Sequence, residues 1–479
     1  MSTTRRVFKN STALSFSVLL ERAISFILPW YVARILGREA WGDYSTAYTF
    51  VLIGATIAPW GMVSLLPRQI ARDHRQVPEL LVNSGLIGLG MGIVTAVGMI
   101  TLTRFLNYPP AIEALIILGV LLAVIPQTEA VLLEAIIQGV ERMEWIVYVR
   151  LPATLLRIIG SIYLLANGFD IVILFWILGI YHLFNCTAYL FILKRRFSPI
   201  PLHIHFSGIR LLFRQASPFF IIVSTSEVFR QADRIFLSKL WDTDAVGVYA
   251  TGVMFIQLLY MLIPALMGAL FPGLSRTYVK SLERFAFLVN WLFKLLAILT
   301  FPVMLFTIAF ADKMIILVFG PAYVSSIDVM RLVALGVLPS FLSRILYRTI
   351  LASDNERLGV NVALVGNAAS LLLNVLLIPR FGILGAGMAA VGTVLVTFSQ
   401  NFWYVSRLIR LDWKHSIWNP VFCMGLSSLV FGALWRQSSL LAFLGAMVVF
   451  AVLLWVTKTI TFEDLEHLSL VKRREPSGL

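Results

Sequence analysis

The sequence predicts an all-α integral membrane protein of about fourteen transmembrane helices, built as two pseudo-symmetric six-helix lobes followed by two further helices. Three observations lead there. Apolar residues make up 59% of the 479, charged residues only 13%, and mean hydropathy is +0.86. A soluble domain carries about twice that charge. The apolar runs are about 20 residues long, the length a helix needs to cross hydrocarbon. The chain also repeats itself, and the repeating unit holds six such runs.

The runs fall at about 11–35, 43–66, 80–103, 112–136, 146–167, 170–193, 213–238, 247–271, 286–310, 326–350, 359–379, 382–406, 416–434 and 439–457. No long period-2 alternation is present, which argues against a β-barrel. Lys and Arg set the orientation, because basic loops stay on the cytoplasmic side. One set of loops carries Arg68, Arg72, Arg75, Arg142, Lys194, Arg195, Arg196, Arg276, Lys280, Arg284, Arg407, Arg410 and Lys414. Both tails join this set through Arg5, Arg6, Lys9, Lys472, Arg473 and Arg474. The expectation is a multi-pass protein of the cell (inner, cytoplasmic) membrane with both termini cytoplasmic. The first run is too long for a cleaved leader and lacks its small-residue exit.

The net charge of +14 would suggest nucleic acid on a soluble chain. Here the charge sits mostly in short loops, topology accounts for it, and no nucleic-acid partner is expected. The two cysteines, Cys186 and Cys423, lie in apolar runs and read as packing residues. They exclude a disulfide framework.

The duplication is explicit. Glu39-Ala40-x-Gly42-x-Tyr44-x-Thr46 reappears as Asp244-Ala245-x-Gly247-x-Tyr249-x-Thr251. The same ungapped offset pairs Phe50 with Phe255, Pro59 with Pro264, Met62 with Met267, Leu65 with Leu270 and Pro67 with Pro272. A six-span unit repeated in one orientation gives two lobes about an axis along the membrane normal. The expected domains are 1–196, a cytoplasmic linker 197–209, a second lobe 210–410, and helices 13 and 14 with a tail, 411–479. The linker holds His203 and His205, a pair with no third ligand nearby, so a solvated loop is the plainer reading. Lobes of this kind suit alternating access around a cavity.

An ionisable side chain at bilayer depth costs at least about 2.5–3.5 kcal/mol, so it tends to face protein or water. This chain has many: Glu21 and Arg22; Glu129 and Glu134; Arg150 and Arg157; Glu227, Arg230, Asp233 and Arg234; Lys294; Arg344 and Arg348. Basic groups outnumber acidic ones. Arg suits phosphate because its planar fork donates two hydrogen bonds at once. The candidate substrate-binding residues are therefore Arg22, Arg157, Arg230, Arg234, Arg344 and Arg348. The candidates for ion coupling are Glu21, Glu129, Glu134 and Asp233, with H⁺, Na⁺ and no coupling all open. Plainer readings stand beside these. Arg150, Arg348 and Lys294 lie near predicted cytoplasmic ends and can snorkel. Glu227 with Arg230 or Arg234 can be a structural ion pair. No cofactor and no metal site is expected.

Gly385-x-Gly387-x-x-Ala390 mimics a dinucleotide fingerprint but lacks the surrounding βαβ unit. Close helix packing explains it better, as it does Gly85, Gly88 and Gly92. No P-loop, zinc-protease or nucleophile-elbow motif is present in the sequence. The longest outer segment, about 311–325, is short for a loop-borne active site, which argues against a membrane glycan polymerase.

Four stretches resemble a known family: Ala33-Arg34-Ile35-Leu36-Gly37 through Trp41-Gly42-Asp43-Tyr44-Ser45; Asp233-Arg234-Ile235 leading to Val246-Gly247-Val248-Tyr249; Phe319-Gly320-Pro321-Ala322-Tyr323; and Leu377-Ile378-Pro379-Arg380-Phe381-Gly382-Ile383-Leu384-Gly385-Ala386. They are similar to the polysaccharide-biosynthesis transporters, lipid-linked oligosaccharide (O-antigen, Wzx-type) flippases of the multidrug/oligosaccharidyl-lipid/polysaccharide exporter superfamily. That resemblance implies fourteen helices of the MATE-like fold and a cationic central cavity. It implies flipping of undecaprenyl-diphosphate-linked sugar units, not an enzyme activity. The expected partners are an anionic lipid-linked oligosaccharide and membrane lipid, with other polysaccharide-assembly proteins as candidates, and the expected state is a monomer. Alternatives in the same superfamily are a flippase of lipid-linked peptidoglycan precursors and a multidrug exporter.

Overall fold

A computed structural model of the chain describes residues 21, 23–197 and 206–459. Among these there is no strand. The helices are α1 (Ile27–Tyr31), α2 (Arg38–Ile57), α3 (Met62–Arg72), α4 (Val77–Leu106), α5 (Pro110–Gly139), α6 (Met143–Ala166), α7 (Val172–Arg196), α8 (Phe206–Arg230), α9 (Ala232–Leu240), α10 (Thr243–Tyr260), α11 (Leu262–Lys280), α12 (Leu282–Phe319), α13 (Ser325–Ala334), α14 (Val337–Ala352), α15 (Glu356–Leu408), α16 (Asn419–Leu434) and α17 (Ser439–Val456).

Eleven helical stretches among the described residues are long and apolar enough to span a membrane. The class is as the sequence predicts, but the count differs from fourteen for physical reasons. The start of the first expected span lies outside the described residues, and its described part, Ala23–Leu36, is an apolar helix below membrane-spanning length. The eighth is split at Met261 between α10 and α11. The eleventh and twelfth run together as the 53-residue α15, where Gly382 leaves helical geometry at φ 55°, ψ −126°. A positive φ suits glycine, which has no Cβ to clash. The seventh expected span is also broken, at Gln231 between α8 and α9. The expected outer segment 311–325 is mostly helix, because α12 continues to Phe319. The expected linker and both basic tails fall largely outside the described residues, with His203 and His205 among them.

Prolines mark helix starts at α4, α5 and α16, where the missing N–H has no intrahelical partner to lose. Others sit inside α3, α5, α6, α8, α12 and α15. Membrane helices tolerate these because neighbours re-satisfy the freed carbonyls.

The described chain divides into two compact units. The first runs through Thr251 and adds Val318–Tyr323 and Asn374–Ala386. The second takes Gly252–Leu317, Val324–Leu373 and the chain from Gly387 on. The boundary of dense packing thus falls inside α10, not in the segment 197–209 that separates the expected lobes. In the first unit, Met62, Leu66 and Ile70 of α3 pack against Leu132, Leu133, Ile136 and Ile137 of α5, Tyr189 and Leu193 of α7, and Leu212 and Ala216 of α8. Lipid tails are as apolar as these side chains, so close packing supplies the stabilisation. Gly61, at φ 74°, lets the α8 backbone approach so closely that a Cβ there would lie 2.4 Å from the Phe220 nitrogen. Beside it the Trp60 ring stacks on Phe220 at 3.7 Å and on Phe213 at 4.5 Å. These contacts fix α8, whose far end carries the charges described below.

In the second unit Tyr260 bonds Ser340 at 2.9 Å, and Asn401 donates to Ser343 Oγ at 2.9 Å. Asn290 ties α12 to the turn after α15 by donating to the Arg410 carbonyl and accepting from the Asp412 amide. Phe301 and Phe450 stack 4.8 Å apart, seating α17 on α12.

Candidate functional site

The charges of the first unit sort into three groups. The first is closed on itself. Arg150 of α6 donates from Nε to Glu21 at 2.9 Å and from Nη1 to Glu134 of α5 at 3.4 Å. Tyr189 of α7 donates to the other Glu134 oxygen at 3.0 Å, and Thr154 reaches Glu21 at 3.4 Å. Both carboxylates are mostly buried. Two acids share one guanidinium, so each has its counter-charge fixed in place. Arg150 does not need to snorkel, because its partners lie on neighbouring helices.

The second group is open. At the α8–α9 junction, buried Glu227 accepts from Arg230 and from Gln231 Nε2. Arg234 donates to Gln231 Oε1 at 3.3 Å. Asp233 accepts from the Tyr249 hydroxyl at 2.6 Å and from the Arg234 amide at 2.9 Å. Arg157 of α6, two turns on from Arg150 along the same face, lies with its guanidinium carbon 5.0 Å from the Tyr181 ring centre. Its Nε is buried without a hydrogen-bond acceptor. Tyr48 of α2 gathers the group: Arg157, Tyr181, Arg234 and Glu227 all lie within electrostatic reach of its hydroxyl. Tyr48 stacks on Tyr44 at 5.6 Å, and Tyr44 on Trp41 at 6.0 Å. Three guanidinium groups thus stand against two carboxylates beside an aromatic wall. The sequence reading named the arginines and missed the wall. Its signal was the spacing Trp41, Tyr44, Tyr48, which puts three rings on one helical face.

The third group is a single residue. Glu129 of α5 keeps Oε1 buried without a hydrogen-bond partner. It lies against Gly85 and Gly88 of α4.

In the second unit Arg344 of α14 stays exposed although Tyr260, Tyr347 and Arg348 stand around it. No described carboxylate pairs with it. Arg348 lies one turn further along the same helix. Arg22 lies outside the described residues. The structure thus brings Arg157, Arg230 and Arg234 together within one unit, and Arg344 and Arg348 together within the other. Among the described residues no group of three or more His, Cys, Asp or Glu side chains is placed to hold a metal ion.

The chain is similar to known proteins. Residues 7–278, more than half of the chain, match the family described as polysaccharide biosynthesis protein. A membrane protein of Methanocaldococcus jannaschii, MJ1068, is 23% identical over 164 residues, which are 34% of this chain and 32% of that one. A protein of Haloferax volcanii named as a probable low-salt glycan biosynthesis flippase, Agl15, is 22% identical over 228 residues, 46% of this chain and 48% of its own. The chain therefore spans less than half the length of these two relatives. Among solved structures, the lipid II flippase MurJ in an inward closed conformation superposes with a TM-score of 0.72 at 13% identity, covering 95% of this chain and 99% of that one. An inward-facing multidrug resistance MATE transporter of the MOP superfamily superposes at 0.65 and 14% identity, covering 83% and 98%. At such identity the likeness shows a common fold. Together with the family match over the first half, it establishes that this chain belongs to the polysaccharide biosynthesis protein family and has the MOP-type transporter fold.

Proposed function

We propose that the protein is a flippase that moves an undecaprenyl-diphosphate-linked oligosaccharide from the cytoplasmic to the outer leaflet by alternating access. One observation carries the reading: Arg157, Arg230 and Arg234 gather beside Tyr48 and Tyr181 with fewer carboxylates than guanidinium groups. A diphosphate offers the anionic oxygens that a planar guanidinium matches. The aromatic faces suit the sugar rings that follow it. The lipid tail stays in hydrocarbon. The name borne by the Haloferax relative supports the same substrate class.

Glu227 gives the site a way to release. Arg230 rests on Glu227 when the site is free, so the buried carboxylate then keeps its counter-charge. Arg157 has no such resting carboxylate among the described residues, and its buried Nε has no hydrogen-bond acceptor. Arg22, Arg344 and Arg348 are the further arginines proposed to bind substrate. The expected lobes, 1–196 and 210–410, would rock to expose it to either side. Both termini would be cytoplasmic, and the working unit a monomer in the cell membrane.

A lipid-linked peptidoglycan precursor carries the same diphosphate, and the fold match to MurJ favours keeping it as a second reading. Complementation in cells depleted of each flippase separates the two. A pocket for cationic drugs would be acidic, which the guanidinium excess disfavours. The deciding experiment replaces Arg157, Arg234 and Arg344 by Ala together. Surface glycan is expected to disappear at unchanged protein level, and normal glycan would reject the site.

A further inference from the structure

Four intramembrane carboxylates were candidates for ion coupling, and their surroundings now separate them. Glu21 and Glu134 are held by Arg150. Asp233 is held by the Tyr249 hydroxyl and a backbone amide. Their charges are matched by fixed donors, so gain or loss of a proton would break bonds already made. Glu129 differs. Its Oε1 is buried and unbonded.

The packing around it is specific. A Cβ on Gly88 would lie 2.5 Å from Glu129 Oε1, and one on Gly85 would lie 3.5 Å from Oε2. The two glycines of α4 therefore form the seat for this carboxyl. From α7 the titratable group facing it is Cys186. Among the described residues, no ion pair or hydrogen bond to a charged side chain reaches it. The residue as a whole is part-buried, not sealed.

We infer that Glu129, seated on Gly85 and Gly88, is a proton-exchange site of this protein, separate from the arginine group and able to couple proton movement to opening of α4 from α5. The exchange is one O–H bond: the carboxyl yields its proton to water and takes one back on re-closure. The neutral carboxyl fits the glycine seat. The carboxylate has no counter-charge there among the described residues and needs water, so it favours a state in which α4 has moved away. A proton thus binds the closed packing better than the open one, and that difference is what coupling requires. Sodium fits less well. A single carboxylate among glycines and a thiol lacks the several oxygens a hard cation needs.

The coupling role rests on the flippase reading, whereas the proton site does not, so the test has two arms. The first uses the wild-type full chain in proteoliposomes and dicyclohexylcarbodiimide, which adds to neutral carboxyls in apolar surroundings. Peptide mass spectrometry is expected to find the adduct on Glu129, several-fold more at pH 6 than at pH 8, with Glu134 and Asp233 unmodified. Equal modification of all three, or none on Glu129, overturns the site. Gly88→Ala, which crowds the seat without touching the carboxyl, is expected to change the labelling at Glu129, and unchanged labelling counts against the seat. The second arm measures surface glycan in cells. Glu129→Gln is expected to lower it at least tenfold, with Glu129→Asp recovering part of it. If Arg157→Ala abolishes glycan while Glu129→Gln leaves it normal, coupling through Glu129 is wrong and the flippase reading stands. If neither variant changes glycan, the flippase reading fails, and with it the coupling, while the labelling alone decides the proton site.

Discussion

Gly42 and Gly247 hold matching places in the two copies of the duplicated segment, and they pack on each other backbone to backbone. A Cβ on Gly42 would lie 3.2 Å from the Gly247 nitrogen, and one on Gly247 would lie 3.0 Å from the Gly42 nitrogen. Arg38 braces the crossing by donating from Nε to Asp244 at 2.8 Å. An added methyl group at Gly42 meets the Thr243 carbonyl oxygen at 1.8 Å, which only backbone movement relieves. Gly42→Ala should cost about 1–3 kcal/mol, the usual penalty of overpacking. Thermal unfolding in detergent should show a midpoint lowered by several degrees. Gly425→Ala, with no atom within 4 Å of the new methyl, is the control and should leave the midpoint unchanged.

The Glu21–Arg150–Glu134 cluster makes a sharper stability prediction. Arg150→Ala leaves two buried carboxylates facing each other without a cation. Breaking a buried pair in this way costs about 3–5 kcal/mol. Folded yield should fall steeply. The neutralised triple variant Glu21→Gln, Glu134→Gln, Arg150→Met should recover most of it, since no charge is then stranded. Yield from the triple variant no better than from Arg150→Ala would show that the cluster is not held by charge balance.

Arg157 and Arg234 should differ from Arg150 in their phenotype. Neither is locked to a carboxylate, so Ala at either should leave folding nearly intact and weaken substrate binding. Hydrogen bonds to charged groups contribute about 1.5–3 kcal/mol each, or about 10- to 150-fold in affinity. Arg157→Lys should rescue poorly, because the point charge of Lys loses both the fork and the stacking on Tyr181. Titration of the purified variants with undecaprenyl diphosphate gives the comparison.

Tyr108, in the short turn between α4 and α5, supplies a pH test outside the membrane-spanning segments. Burial pushes its hydroxyl up to about 12, and the hydroxyl bonds Ser238 Oγ at 2.8 Å. The folded state thus holds its proton more tightly than the unfolded chain. The resulting stability is fully present below the ordinary value of 10.0 and is lost as pH rises from there toward 12. Tyr108→Phe should cost about 1 kcal/mol at neutral pH through the lost hydrogen bond. It should also flatten the alkaline fall in unfolding midpoint. An unchanged alkaline profile in the variant would assign the fall to another group.

Much of this architecture could be read from spacing and hydropathy. Apolar run length gave the helices, and the matched Gly42 and Gly247 marked a duplication, while their contact with each other shows only in the structure. Gly88 and Gly92 read as sites of close approach, and they do accept Leu132 and Ile125 of α5. What sequence could not supply was pairing across helices. Arg150 looked like a snorkelling residue because its partners, Glu21 and Glu134, are distant in the chain. Glu129 looked equivalent to Glu134, five residues on, yet the two face different neighbours. The Tyr48–Tyr181 wall went unread because aromatic residues are common in membrane helices and only Arg157 gives these two a shared purpose.

Central to the proposed function is an anion site in the first unit built from Arg157, Arg230 and Arg234. The most direct test is equilibrium binding of undecaprenyl diphosphate to the purified full chain, with undecaprenol as the phosphate-free control. Arg157→Ala/Arg234→Ala should weaken diphosphate binding at least tenfold and leave undecaprenol binding unchanged. Equal diphosphate affinity in the wild type and the double variant would contradict the site.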